Sequence, residues 1–209
     1  MGKIKHIKSC RKEQKCSKCG EIIPVGSPYY KGEMFRRSPI VRCTKCGLKG
    51  YEVTTSEYVQ RVGRLVEDWQ EDYSIGSCTV DDISTEVQDI LDVCDENFNN
   101  IPEQFQDGDA GTLLQERIGE LECVISEFDC FDWNEILSNA YDEVDEEVQS
   151  IIDEEQSKRD DADYDDWYEE FCDDAEADEV KREAAGCWQE KVEEQIISFI
   201  ENALGQLSY

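Results

Sequence analysis

Two five-residue boxes constrain this chain more than anything else in it: Cys16-Ser17-Lys18-Cys19-Gly20 and Cys43-Thr44-Lys45-Cys46-Gly47. Each reads C-x-x-C-G. Two residues between cysteines let both sulfurs turn onto one metal ion. A trailing glycine suits the positive φ needed where the chain doubles back beneath them. Four thiolates complete a closed tetrahedral shell, the geometry of a structural zinc site. The 23 residues from Gly20 to Arg42 between the boxes exceed the usual spacing and are long enough for a hairpin. The competing readings are a disulfide pair or a chance recurrence of cysteines, and chance would have to produce the same box twice. The expected cofactor is therefore one structural Zn²⁺ held by Cys16, Cys19, Cys43 and Cys46.

Charge divides the chain. Residues 1–50 hold 13 Lys and Arg against 3 Asp and Glu, whereas residues 51–209 hold 8 against 48. A small basic head thus precedes a large acidic body, within a total formal charge of -30. Such a charge resists compaction and disfavours membranes and polyanionic ligands for the chain as a whole. No run of 18 apolar residues is present, so no membrane-spanning helix is expected. Met1 through His6 are mostly polar and basic, so no signal peptide is expected. Eleven cysteines, four of them in metal boxes, point to a reducing, cytoplasmic setting.

The head covers residues 1–54. Pro24, Gly26, Pro28 and Gly32 punctuate its β-prone stretches, which predicts short strands and a turn near 24–28. His6 and Cys10 are spaced i, i+4, so a helix would present both to a second metal; the plainer reading is a solvated basic arm. Lys12, Tyr29, Tyr30, Lys31, Arg36, Arg37 and Arg42 interleave cations with rings, a mixture that suits single-stranded nucleic acid or an acidic partner. Against that stands the need of so small a ribbon to pack its rings on the metal site, which is the favoured reading.

Lys15 through Gly26, followed by Arg42-Cys43-Thr44-Lys45-Cys46, resembles the start of many small bacteriophage-encoded zinc-finger proteins, in which an acidic helical region follows the finger. The first half is also similar to the PARP-type zinc finger, a reader of broken DNA ends, whose third ligand is a histidine where this chain has Cys43. The resemblance covers roughly residues 10–130. It implies the four cysteines as ligands and a viral origin, and it implies no activity.

The body, residues 55–209, reads as an acidic helical bundle with a sub-boundary near 156–162. Thr55 or Ser56 caps a first helix bearing Val59, Val62, Leu65, Val66, Trp69 and Tyr73. Thr79 with Asp82 opens a second, bearing Ile83, Val87, Ile90, Leu91, Cys94 and Phe98. A third carries Leu114, Ile118, Leu121, Ile125 and Phe128. Asp132 caps a fourth that runs from Ile136 through Ile152. The last runs from about Asp178 to Leu207. Such amphipathic helices pack into a bundle. Cys94, Cys123, Cys130, Cys172 and Cys187 read as small core residues.

Asp163, Asp165, Asp166, Trp167, Glu169 and Glu170 form an acidic–aromatic segment read as a partner surface. No phosphate-binding loop, calcium loop or nucleophile elbow occurs. The only histidine is His6, so no cysteine has an activating base, and no enzyme activity is expected. An acidic excess of about 40 charges far exceeds the roughly 2–8 that solubility needs. Carboxylate rows on helices imitate the phosphates of duplex DNA, about one per 1.7 Å of axis. The expected function is a non-enzymatic interaction protein whose acidic body binds a basic, nucleic-acid-binding partner as a DNA mimic. The alternative is a nucleic-acid-binding protein that uses the basic head.

Overall fold

A computed structural model describes residues 2–34, 37–74, 76, 78–158, 164–174 and 179–208. Short N-terminal strands precede a helical region, the expected fold class. The chain forms two compact units: residues 1–117 with 207–209, and residues 118–206. The first two long helices therefore belong with the ribbon.

In the N-terminal unit, β1 (Lys3–Ile7), β4 (Tyr29–Glu33) and β5 (Ile40–Cys43) form an antiparallel sheet in the order β1-β4-β5. The pair β2 (Gln14–Lys15) and β3 (Ile22–Ile23) forms a separate hairpin. The expected turn lies between β3 and β4, closed by Ser27 N–H donating to the Pro24 carbonyl at 3.1 Å. Residues 3–7 are extended, so the helix that would juxtapose His6 and Cys10 does not form; His6 instead stands opposite Tyr30 across the sheet. Lys5 and Lys31 are also directly opposed, an unfavourable pairing. Glu33 compensates by reaching both amines, at 2.5 and 2.8 Å. These two cations hold its carboxyl down at about 2, Lys31 contributing most.

A single 3₁₀ turn, Gly50–Val53, joins the ribbon to α1 (Glu57–Ser74). Tyr51 and Val53 are buried there. Lys49 Nζ meets Asp68 Oδ1 at 2.5 Å and the Glu67 carbonyl at 2.9 Å, while the Tyr51 hydroxyl donates to the other Asp68 oxygen. Partial burial would raise the Asp68 carboxyl, but these two donors outweigh it and hold it below its ordinary value. The contact is tight. A Cβ on Gly63 would lie under 3.0 Å from three carbons of Tyr51.

Ser56 caps α1, its Oγ accepting from Val59 N–H at 3.4 Å. Val59, Val62, Leu65 and Trp69 are buried, as the spacing predicts. Thr79 and Asp82 form the expected reciprocal capping box of α2 (Val80–Asn99), which buries Ile83, Val87, Ile90, Leu91 and Cys94. A one-turn helix, α3 (Glu103–Gln106), precedes α4 (Asp109–Asp129).

The C-terminal unit contains the rest of α4, then α5 (Trp133–Glu143), α6 (Glu146–Ser157), α7 (Tyr164–Asp174) and α8 (Glu179–Leu204). The spine is α8, against which α5, α6 and α7 pack. Ala184, Trp188, Val192, Ile196, Ile200 and Leu204, each four residues apart, form its buried stripe. One expectation fails here. The helix read from Asp132 through Ile152 is two helices, because Val144 is extended (φ -86°, ψ 161°). Asp145 then caps α6, accepting from Glu147 and Val148 N–H. A side chain that satisfies the donors of a new helix start competes with helix continuation. Two cysteines also depart from the core reading: Cys123 and Cys130 are exposed, whereas Cys94 is buried. They lie off the α4 stripe formed by Leu121, Val124 and Phe128.

Candidate metal centre

The two boxes fold as similar knuckles. In each, the glycine N–H donates back to the first cysteine's carbonyl: Gly20 to Cys16 at 3.0 Å and Gly47 to Cys43 at 3.1 Å. Both glycines have positive φ, 75° and 62°. The β2–β3 hairpin carries the first knuckle and the end of β5 carries the second. Ser17 ties them together. Its backbone N–H donates to the Val41 carbonyl at 2.8 Å, and its Oγ accepts from Val41 N–H at 3.2 Å. Nothing in the pattern of the boxes singled out Ser17 for this role.

The result is convergence of Cys16, Cys19, Cys43 and Cys46, whose Sγ atoms lie within 4.8 Å of one another. Cys19 and Cys43 are 3.8 Å apart. A tetrahedron with metal–sulfur bonds of about 2.3 Å has edges of about 3.8 Å, so the donor set fits a four-coordinate metal ion. Cys16 and Cys43 are buried beside Cys10 and Ile23, with Tyr29 and Val41 packed against them. Burial opposes ionisation of Cys16, but N–H groups of Cys19, Cys43 and Lys18 outweigh it and bring the thiol down to about 6. Hydrogen bonds with the Cys43 and Cys19 sulfurs, and then burial, push Cys46 up to about 12. The Cys16 thiolate thus forms readily, whereas that of Cys46 is disfavoured unless a cation sits among the sulfurs. Four sulfur ligands leave no position for a substrate, so the arrangement suits a structural role.

Among the described residues no second group of three or more His, Cys, Asp or Glu side chains converges in this way. The Cys10 thiol donates to the Lys12 carbonyl at 2.7 Å, and the His6 ring lies 5.0 Å from that of Tyr30.

The remaining sequence-predicted contact residues separate by environment. Tyr29 packs on the cysteine cluster, as the small-core reading has it. Arg42 is only 13% exposed and pairs with Glu52 at 2.5 Å, and Lys31 pairs with Glu33. Tyr30 is half-buried, and Lys12 and Arg37 are exposed. Arg36 and Asp163 lie outside the described residues, as do the side chains of Asp165 and Asp166. Glu169 and Glu170 are exposed. Trp167 corrects the surface reading: it is 2% exposed, stacked on Phe171 at 5.7 Å and tilted on Trp188 at 5.1 Å. Its apolar area draws it into the core despite carboxylates on both sides in sequence.

No helix among the described residues is long and apolar enough to cross a membrane. The chain matches no protein-family model, no curated protein and no solved structure.

Proposed function

We propose that this chain is a non-enzymatic interaction protein whose C-terminal unit binds a basic, nucleic-acid-binding partner in place of a polyanion. The observation that supports this most is where the charge lies once the compact units are known. Residues 118–206 hold 5 basic and 31 acidic residues, a formal charge of -26. The N-terminal unit holds 16 and 20, a charge of -4. The ribbon's excess of cations is thus largely balanced by α1, α2 and their neighbours, and nearly all of the net charge falls on the other unit. Its four described cations are already paired internally: Lys158 with Glu154 and Glu155, Lys181 with Glu155, Lys191 with Glu143 and Glu194, and Arg182 with Glu179. What remains is an anionic surface that attracts basic proteins over long range. The resemblance of the N-terminal half to phage zinc-finger proteins suits a viral protein that acts on a host nucleic-acid-handling or defence protein.

Affinity capture with the full chain, with duplex DNA as competitor, tests this reading. The recovered partners are expected to be basic, to be displaced by DNA, and to dissociate between about 50 and 200 mM salt, as phosphate-contacting proteins do. Recovery of neutral or acidic partners alone contradicts it.

The metal in this reading is one Zn²⁺ bound by Cys16, Cys19, Cys43 and Cys46, serving to hold the ribbon together. Native mass spectrometry is expected to find one zinc per chain, lost in Cys43→Ser. A second reading has the exposed Lys3, Lys8, Arg11, Lys12, Lys15 and Lys18 touching nucleic acid directly. A gel shift of the full chain at low salt, abolished by charge reversal at Lys12 and Lys15, would favour it.

A further inference from the structure

Within the C-terminal unit, the ends of α4 and α8 and the start of α5 border an aromatic groove of about 320 Å³. Phe131 and Phe199 line it and are half-buried, so part of each ring stays open to solvent. They belong to a line of edge-to-face contacts running from core to surface. Phe128 meets Phe199 at 5.6 Å, Phe199 meets Phe131 at 5.0 Å, and Phe131 meets Trp133 at 5.2 Å. Phe128, at the inner end, is 7% exposed, whereas Trp133, at the outer end, is 37% exposed. The other three tryptophans are each 5% exposed or less. The exposed Glu127, Asp132 and Glu135 border the rings, and among the described residues no Lys or Arg lines the groove. Asp132 and Glu127 each engage one oxygen inside the chain, with the Asn134 N–H at 2.8 Å and the Gln206 amide at 3.2 Å. The last turns of α4 and α8 hold no basic residue, and such carbonyl ends attract cations. The opposite sign at the start of α5 is offset by its Asp132 cap.

We propose that this groove docks an arginine side chain of the basic partner. The proposal rests on the polyanion reading of the C-terminal unit and narrows it to one place. The argument is charge complementarity joined to open aromatic surface. A unit of charge -26 draws cations to its surface generally, but most of that surface offers carboxylates alone. Here rings are added. A guanidinium is planar, weakly hydrated and able to stack on an aromatic ring while its donors fork onto a carboxylate. Glu135 supplies the carboxylate, and the side-chain amides of Asn139 and Asn202 supply further acceptors in the same lining. A lysine ammonium has no flat face and holds its water more strongly, so it fits less well.

The test is a titration of the ¹⁵N-labelled full chain with a short peptide of alternating arginine and glycine, and with its lysine counterpart. It is run at about 0.15 M salt, where the Debye length of about 8 Å mutes distant charges. The indole N–H resonances are followed, and Trp133→Phe assigns the exposed one. The arginine peptide is expected to move the Trp133 signal to saturation, to leave the three buried indoles in place, and to bind more tightly than the lysine peptide. Asp132→Asn/Glu135→Gln weakens it roughly five-fold, the worth of exposed ion pairs, and asparagine preserves the α5 cap. Trp133→Ala weakens it roughly two- to five-fold. Glu169→Gln/Glu170→Gln, the same charge change on α7, has a smaller effect. A peptide that binds without moving the Trp133 signal, or that the α7 pair weakens equally, overturns the groove and leaves the general polyanion reading standing. Equal affinity for the two peptides overturns the assignment to arginine. A peptide that does not bind overturns the groove as well, and affinity capture then decides the wider reading by itself.

Discussion

At the scale of single residues, Gly63 shows how magnitude decides a sign. Replacing a helical glycine by alanine ordinarily stabilises by about 0.5–1 kcal/mol. At Gly63 the added methyl runs into Tyr51, and overpacking costs about 1–3 kcal/mol. Gly63→Ala is therefore expected to destabilise in urea unfolding, whereas Gly186→Ala, where a Cβ meets nothing within 4 Å, stabilises. Equal effects at the two sites would show that Tyr51 does not dock there.

Glu33 and Asp68 make a pH prediction at the same scale. Both carboxyls lie below their ordinary values when folded. The folded chain therefore binds their protons less readily than the unfolded chain does. Their contribution is complete above the ordinary carboxylate range near 4 and fades as pH falls, for Glu33 down to about 2. Thermal melts of wild type and Glu33→Gln/Asp68→Asn are expected to differ at neutral pH and to converge toward pH 2.

At the scale of elements, what could be read in advance was whatever is local. The knuckles, the Thr79–Asp82 box and the α2 stripe each depend on residues within a few positions of one another. The break at Val144 was hidden for a physical reason. Ile136, Ala140, Val144, Val148 and Ile152 keep a four-residue spacing straight through it, and an aspartate at position 145 looks the same as a solvated helical one. Its capping role is testable: Asp145→Ala is expected to cost about 0.5–2 kcal/mol, with loss of helicity confined to α6 in hydrogen exchange. Trp167 was hidden because its neighbours in sequence are acidic, while its neighbours in space are Phe171 and Trp188. The pocket lined by Leu137, Tyr141, Ile152, Asp153, Trp167 and Trp188 draws residues from four helices, which no local pattern assembles. The metal centre lies at the other extreme, legible almost entirely from two spacings, apart from the Ser17 tie to β5.

At the scale of the whole molecule, the composition changes at residue 54, whereas the compact units divide within α4, between Arg117 and Ile118. That helix continues through the division, and the lone Gly119 beside it, within an otherwise helical pattern, does not mark a boundary. The consequence for stability is electrostatic. A unit with 31 acidic and 5 basic residues is opposed by its own repulsion, which salt screens as the Debye length shrinks from about 30 Å at 0.01 M to about 10 Å at 0.1 M. Its melting temperature is expected to rise over that interval, while the nearly balanced N-terminal unit changes little. Calorimetry that shows both transitions moving together would contradict the uneven division of charge.

The internal pairing of the four described cations of the C-terminal unit has a thermodynamic corollary. Carboxylates without counter-charges in the chain must gather mobile cations from solution. A docking basic protein would return those ions to bulk solvent, so association would draw on their regained freedom more than on heat. The slope of log K against log salt would then count how many carboxylates the partner covers, and a calorimeter would record little enthalpy for a strong complex.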